Sequence, residues 1–319
     1  MNKLEKIVFF GTHELATPAL DKLAELGVPP RLIVTRPEAG LPTDDEEPGP
    51  HPVRDWGTEH GVQVVRSRRA AEPKLWEEIA GLAPDLLVVC DYGRPISSDM
   101  LPSSSPYAIE VQPSLLPDLR GPHAVRGALA AGLKKTGVTV IEVGEEAWYG
   151  GVLLQEELEI EERETFGVLL PRVRDLGTKL LEKALSKIDK SKKNPRGKPQ
   201  KEPKNIVLAP QVGRRHRKAP WSMEAANVYN RLRAYSPPSL RAFFRYRPIE
   251  ILSGMPMEWV QAPYGVTGTY LGTRQGKLAV LCGDSTVFGI SRLRWPGEKA
   301  MGASDFAFKE KVDVGDQFA

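Results

Sequence analysis

Cysteine is nearly absent from this chain. Cys90 and Cys282 are the only two in 319 residues. That is too few for a disulfide framework, and their separation fits no metal-ligand spacing, so no metal is expected and each reads as a buried thiol of a reducing compartment. Long apolar runs are missing too. None approaches the ~20 residues that a membrane-spanning helix requires, so no membrane association is expected. The opening Met-Asn-Lys-Leu-Glu-Lys-Ile-Val-Phe-Phe-Gly-Thr is too short in its apolar part for a secretory signal. It reads as a first strand, and the expected location is cytoplasmic. Phosphate-cradling glycine patterns are lacking as well. Gly11-Thr12-His13-Glu14 fits neither G-x-G-x-x-G nor G-x-x-x-x-G-K-[ST], so a nucleotide cofactor is not supported.

What is present is a strong segregation of charge. The formal net charge is only +3. From Lys183 to Lys218, however, thirteen Lys and Arg face only Asp189 and Glu202, which leaves the rest of the chain acidic. Such a segment suits either a phosphate backbone or a solvated, self-repelling linker.

Periodicity predicts the organisation. Lys6–Phe10, Leu32–Thr35, Leu86–Cys90, Tyr107–Val111 and Val138–Val143 are apolar runs of strand length. Helical spacing fills Glu14–Leu26, Trp76–Gly81, Ala124–Ala131 and Leu169–Ile188. Alternation of the two predicts an α/β domain with a mostly parallel sheet, whose site lies beyond the carboxyl ends of the strands. Gly11-Thr12, Asp91-Tyr92-Gly93 and Gln112–Arg120 all fall at such ends and are expected to meet in one cleft. Residues 187–218, rich in Lys, Pro and Gly, read as a basic linker. A helix over Met223–Tyr235 follows. Short strands are then predicted at Ala242–Tyr246, Ile249–Leu252, Tyr264–Leu271, Lys277–Cys282 and Val287–Leu293, suggesting a small OB-like β-barrel. The expected domains are residues 1–186, linker 187–218 and residues 219–319.

From Tyr107 the chain reads Tyr-Ala-Ile-Glu-Val-Gln-Pro-Ser-Leu-Leu-Pro-Asp-Leu-Arg-Gly. This segment resembles the active-site strand and loop of the methionyl-tRNA formyltransferases, which write Asn-x-His-x-Ser-Leu-Leu-Pro. Ile7-Val-Phe-Phe-Gly-Thr, Val34-Thr-Arg-Pro-Glu38, Asp91-Tyr-Gly93, Thr136-Gly-Val-Thr139, Asn230-Arg-Leu-Arg-Ala-Tyr-Ser-Pro237, Pro296-Gly-Glu-Lys-Ala-Met301 and Ser304-Asp-Phe306 extend the likeness, in order, over nearly the whole chain. The resemblance implies a formyltransferase-type, Rossmann-like N-terminal domain and an OB-like C-terminal domain. It also implies transfer of a formyl group from 10-formyltetrahydrofolate to the α-amine of methionyl initiator tRNA. A folate cleft would be lined by Tyr92, Gly93, Arg94, Pro95, Ser114, Leu115, Leu116 and Pro117.

Three positions depart from the family pattern. Glu110 stands where the family has the catalytic Asn, and Gln112 where it has His. Ala147-Trp148-Tyr149-Gly150-Gly151 replaces Leu-Asp-Thr-Gly-Asp, so Trp148 takes the place of the catalytic Asp. Formyl transfer passes through an oxyanion that needs donors, while a proton must leave the amine. An ionised Glu110 accepts only, and at ~4 Å with an effective dielectric of ~20 it would repel the oxyanion by about 4 kcal/mol. Loss of one oxyanion donor costs about 2.7–4 kcal/mol. A protonated Glu110 could donate, given a strongly raised pKa. Gln112 could donate through its amide but cannot shuttle a proton. Trp148 offers one N–H and much bulk. His123 is the candidate substitute base.

Three readings follow. The first is a catalytically inactive homologue that binds or regulates, with a folate-like ligand, RNA or a protein as partner. The second is an active formyltransferase with relocated chemistry. The third is RNA binding alone, through the basic linker and C-terminal domain, with Arg214, Arg215, Arg217, Lys218, Arg231 and Arg233 as contacts and Arg241, Arg245 and Arg247 available nearby. Against tRNA stands Glu38–Pro50, with five acids and no Lys or Arg where the family carries a basic loop. A monomer is expected.

Overall fold

The computed structural model describes residues 4–13, 15–37, 51–102, 107–189, 194–201, 209, 214–258 and 264–319. The acidic stretch 38–50 and the side chains of Arg214 and Arg215 lie outside the described residues. Two compact units emerge. The first comprises Met1–Val125, Lys135–Glu159 and Leu170–Gln211; the second comprises Arg126–Lys134, Ile160–Leu169 and Val212–Ala319.

The first unit is built on a seven-stranded sheet. Its elements are β1 (Ile7–Phe10), α1 (Ala16–Glu25), β2 (Leu32–Thr35), α2 (Pro52–Glu59), β3 (Gln63–Arg66), α3 (Pro73–Leu82), β4 (Leu86–Cys90) and β5 (Tyr107–Gln112), followed by α4 (Ala124–Ala130), β6 (Lys135–Glu142), β7 (Val152–Glu159) and α5 (Phe166–Leu185). Strand order is β3-β2-β1-β4-β5-β6-β7. The first five run parallel; β6 and β7 join antiparallel. This is the mostly parallel α/β fold that the apolar runs predict. Every residue of β1, β2 and β4 is buried. Val8, Phe10, Leu32, Val34, Leu87 and Val89 pack with Leu75 and Ile79 of α3 on one face. The alternate residues Ile7, Phe9, Ile33 and Val88 are buried too and point to the other face.

Chain direction across the sheet reverses at β1, whose neighbours are β2 and β4. In open α/β sheets the loops after such strands diverge at this point, which makes their carboxyl ends the place to look for a binding crevice. No apolar period in the sequence announces α2, β3 or β7. Both strands are sheet edges with exposed polar residues, such as Gln63 and Arg66 in β3, and edge strands of this kind carry little apolar signal.

Part of the expected linker is bound into the first unit. Val152 and Lys198 exchange backbone hydrogen bonds of 2.7 and 2.9 Å as an antiparallel bridge. The main chains at Gly151 and Gly197 lie so close that a β-carbon on either would overlap the other. Arg196 pairs with Glu142 at 2.7 Å, and the Tyr107 hydroxyl donates to the Pro195 carbonyl. These contacts are largely main-chain, so no apolar period announces them.

The second unit contains α6 (Ala225–Ala234), β8 (Leu240–Phe244), β9 (Arg247–Met257), β10 (Tyr270–Arg274), β11 (Lys277–Leu281), β12 (Val287–Arg294), β13 (Met301–Gly302) and α7 (Ala303–Lys309). Its strands form an antiparallel sheet of order β10-β11-β12-β9-β8, with β13 on β12. β8 and β10 do not pair with one another, so this sheet is not a closed barrel. Residues 317–319 bond to Phe243 on one side and to Gly268 and Thr269 on the other. The strand expected over Tyr264–Leu271 begins only at Tyr270. Before it, the Thr269 N–H turns back to the Val266 carbonyl, and Gly268 adopts a left-handed φ of 90°.

Glu250 of β9 is a buried carboxylate that gathers cations. Arg294 Nε lies 2.7 Å from it, Arg217 Nη2 3.5 Å and Arg241 Nε 3.9 Å. Arg217 is itself only 6% exposed. Removing the carboxylate strands a buried guanidinium, which costs about 3–5 kcal/mol. Glu250→Ala is therefore expected to lower stability by about 3 kcal/mol in urea unfolding. A loss below ~1 kcal/mol would mean that solvent already screens the cluster.

Candidate active site

Three strand-end loops converge at the crevice. After β1, the N–H groups of Thr12 and His13 donate to the Asp91 carbonyl, and the Asp91 carboxylate accepts from Leu15 N–H at 3.0 Å, at the start of α1. After β2, Arg36 Nη1 lies 3.1 Å from His13 Nε2. After β5, the His123 ring sits 5.3 Å from the His13 ring. Gly93 adopts a left-handed φ of 74°, and a β-carbon there would lie 2.7 Å from His13 Nε2. Only glycine suits that position. Of the three strand-end segments expected to meet, Gly11-Thr12 and Asp91-Tyr92-Gly93 are hydrogen-bonded together, while the contact from the β5 side is made by His123, three residues beyond Gln112–Arg120.

Ser114–Gly121 is held from beneath. Thr139 Oγ1 on β6 donates to the Ser114 carbonyl at 2.6 Å and accepts from Leu116 N–H at 3.1 Å. Gln155 on β7 donates to the Leu116 carbonyl at 2.9 Å. The Leu116–Pro117 peptide is cis. Of the expected cleft residues, Arg94 and Pro95 are exposed, whereas Ser114 and Leu116 are buried. Tyr92 is 1% exposed and packs edge-on against Phe10 at 5.4 Å. Burial pushes its hydroxyl up to about 12.

Glu110 lies mid-strand in β5, opposite Val89 and Ile141. It is 6% exposed. Burial raises its pKa from 4.5 to about 8, while the Trp148 side chain hydrogen-bonds the carboxyl and opposes the rise. The shift favours the acid form at neutral pH. An acceptor-only carboxylate, the expectation for an ionised Glu110, is not the state this environment favours. The neutral acid carries an O–H donor instead.

Gln112 sits at the end of β5 and is 4% exposed. Its amide nitrogen donates to the Leu119 carbonyl at 3.1 Å and to the Gly121 carbonyl at 2.9 Å. Both hydrogens are committed to the loop, so the amide is not turned to a ligand. Trp148 has a left-handed φ of 66°. It belongs to a tight loop in which a β-carbon on Gly150 would overlap the Glu142 carbonyl oxygen. Gln200, which sequence reasoning missed, clasps this loop. Its amide nitrogen donates to the Trp148 and Gly150 carbonyls at 2.8 and 2.9 Å. No periodicity marks Gln200 inside a Lys- and Pro-rich stretch.

Against this geometry stand the relatives. The Formyl transferase family matches residues 5–185, and the Formyl transferase, C-terminal domain family matches residues 215–310. The methionyl-tRNA formyltransferase of Anaeromyxobacter dehalogenans is 32% identical over 305 residues, covering 95% of this chain and 96% of its own. The chain is a member of the methionyl-tRNA formyltransferase family. The Bacillus thuringiensis enzyme of the same name is 29% identical over 97% of each chain. Among solved structures, an N-formyltransferase from Helicobacter canadensis superposes with a TM-score of 0.61 at 12% identity, over 90% of this chain and 99% of that one. HypX from Aquifex aeolicus gives 0.57 at 17% identity over 98% of this chain. This member of the family spans about half of HypX, 48% of its length.

The remaining expected residues fall in the second unit. Arg217 donates to the Ser239 carbonyl and hydroxyl. Arg233, 6% exposed, donates to the Glu161 and Glu164 carbonyls and to Asn230. A phosphate contact by either would require it to leave these partners. Arg231 donates to the His216 carbonyl at 3.2 Å and lines a cavity of about 380 Å³ with Ser222, Glu224, Asn227 and Asp284. Lys218 is exposed. Among the described residues no group of three or more His, Cys, Asp and Glu could hold a metal ion, and no helix is long and apolar enough to cross a membrane.

The raised pKa of Glu110 has a thermodynamic sign. The folded chain holds this proton more tightly than the unfolded chain does. Its contribution is therefore most favourable below about 4.5 and declines as pH rises to about 8. Glu110→Gln, which mimics the neutral acid, is expected to flatten that decline. The variant should gain on the native protein by a few kcal/mol between pH 5 and pH 8 in urea unfolding. Parallel stability curves would place the titration elsewhere.

Proposed function

We propose that this chain retains the scaffold of its family without formyl-transfer chemistry, and acts as a binding or regulatory homologue. The observation that carries this reading is Gln112. It occupies the position matched to the family's His, it does not titrate near neutral pH, and both its amide hydrogens are held by loop carbonyls. Trp148, at the position matched to the catalytic Asp, cannot take a proton either. A folate-like ligand is the candidate for the strand-end cleft, by analogy with relatives whose structures hold tetrahydrofolic or folinic acid. RNA is the candidate partner of the basic segment, through Lys218, Arg231 and the Arg214–Arg215 pair. On this reading the organisation is residues 1–186, a connecting segment 187–218 and an OB-like domain 219–319, in a cytoplasmic monomer.

One observation favours a second reading, an active 10-formyltetrahydrofolate-dependent transferase with relocated residues. Neutral Glu110 is an O–H donor at the position matched to the oxyanion-binding Asn, which removes the charge repulsion expected of a carboxylate. Such an enzyme still needs a base, and His123 is the candidate.

Single-turnover assay separates the two, with protein in excess over methionyl initiator tRNA and saturating 10-formyltetrahydrofolate. No product is expected from the native chain. Product at an enzymatic rate would overturn the inactive reading. If it appears, loss on His123→Ala together with a fall above pH 8 would assign the relocated chemistry. A gain of product in the combined Glu110→Asn, Gln112→His and Trp148→Asp variant would show that the substrate sites persist.

A further inference from the structure

Arg120 closes the Ser114–Gly121 motif and has no role in the chemistry above. It is 5% exposed. Its guanidinium lies 3.6 Å from the centre of the Tyr149 ring. Nε and Nη2 donate to Gln200 Oε1 at 3.3 and 2.8 Å. Gln200 cannot flip away, because its amide nitrogen is fixed on the Trp148 and Gly150 carbonyls. The amide oxygen must therefore face Arg120, and the guanidinium is held rigidly by a neutral acceptor and an aromatic face.

Neither partner neutralises the charge. Arg120 Nη1 is buried without a hydrogen-bond partner, and among the described residues no carboxylate pairs with it. Buried guanidinium groups ordinarily sit beside an anion, since an uncompensated charge is costly away from water. Arginine's planar fork matches carboxylate and phosphate oxygens in particular. We propose that Arg120, oriented by Gln200 and stacked on Tyr149, is a binding subsite for an oxyanion group of a ligand, carboxylate or phosphate, received at Nη1. Tyr149 is 44% exposed and covers one face of the guanidinium, so trimming it brings Arg120 closer to solvent. The subsite does not depend on whether formyl transfer is retained.

The test is thermal unfolding of the full chain at pH 7 and constant ionic strength, with chloride replaced stepwise by inorganic phosphate or by acetate. A saturable rise in Tm with at least one anion is expected; which one acts identifies the group. Arg120→Lys keeps the charge but loses the fork, and should weaken the apparent affinity at least ~10-fold. Tyr149→Ala should preserve or tighten binding. Arg196→Gln, which alters an exposed pair, should leave it unchanged. A rise that does not saturate, or one equal in Arg120→Lys, would mean an adventitious ion only and would overturn the proposal. Should Arg120→Lys fail to fold, side-chain nitrogen NMR of the native protein decides. One arginine resonance moving saturably with the anion supports the subsite, and none moving refutes it.

Discussion

Backbone groups of β1, β2 and β4 have no water to turn to, because apolar side chains cover both faces of the sheet. Their hydrogen bonds must close within the sheet, and their side chains must be apolar along the whole strand. Polar chemistry is thereby driven to the carboxyl ends, where His13, Arg36, Gly93 and His123 gather. The same constraint decides the state of Glu110. A carboxyl placed between Val89 and Ile141 loses its hydration, and it answers by holding its proton rather than by finding a cation.

Around this sheet the loops are bound by side-chain amides and one hydroxyl. Thr139 and Gln155 hold the start of the Ser114–Gly121 loop, Gln112 holds its end, and Gln200 joins Arg120 to the loop that bears Trp148. Amides suit this work, since each offers two donors and an acceptor without a charge to desolvate. Glu110, Trp148 and Gln200 are thus parts of one hydrogen-bonded assembly, in which Glu110 meets Trp148 and Trp148 meets Gln200.

Much of this was legible from the amino-acid sequence. β2 and β4 match their expected ends to the residue, because an uninterrupted apolar run bounded by polar residues has one natural reading. The edge strands β3 and β7 did not declare themselves, since each interleaves exposed polar residues with its apolar ones. The motif after β5 stands at a strand end, as its position after an apolar run predicts. The protonation of Glu110 was beyond reach, because it depends on what surrounds the carboxyl. Gln200 was equally hidden, in a stretch whose composition signals only charge and turns. Basic residues were the hardest to sort: composition groups Arg217 and Arg233 with Lys218, yet the first two are buried and internally bonded.

The bracing by Gln112 also bears on how this site can change over evolutionary time. One side chain serves both the Leu119 and the Gly121 carbonyl, and each of those residues has a left-handed backbone. A replacement at 112 without a side-chain donor withdraws two hydrogen bonds at once from a buried turn, and one with a single N–H can keep only one of them. Position 112 is therefore coupled to the Leu119–Gly121 turn. A change at 112 is thus felt at the turn before it is felt at any ligand.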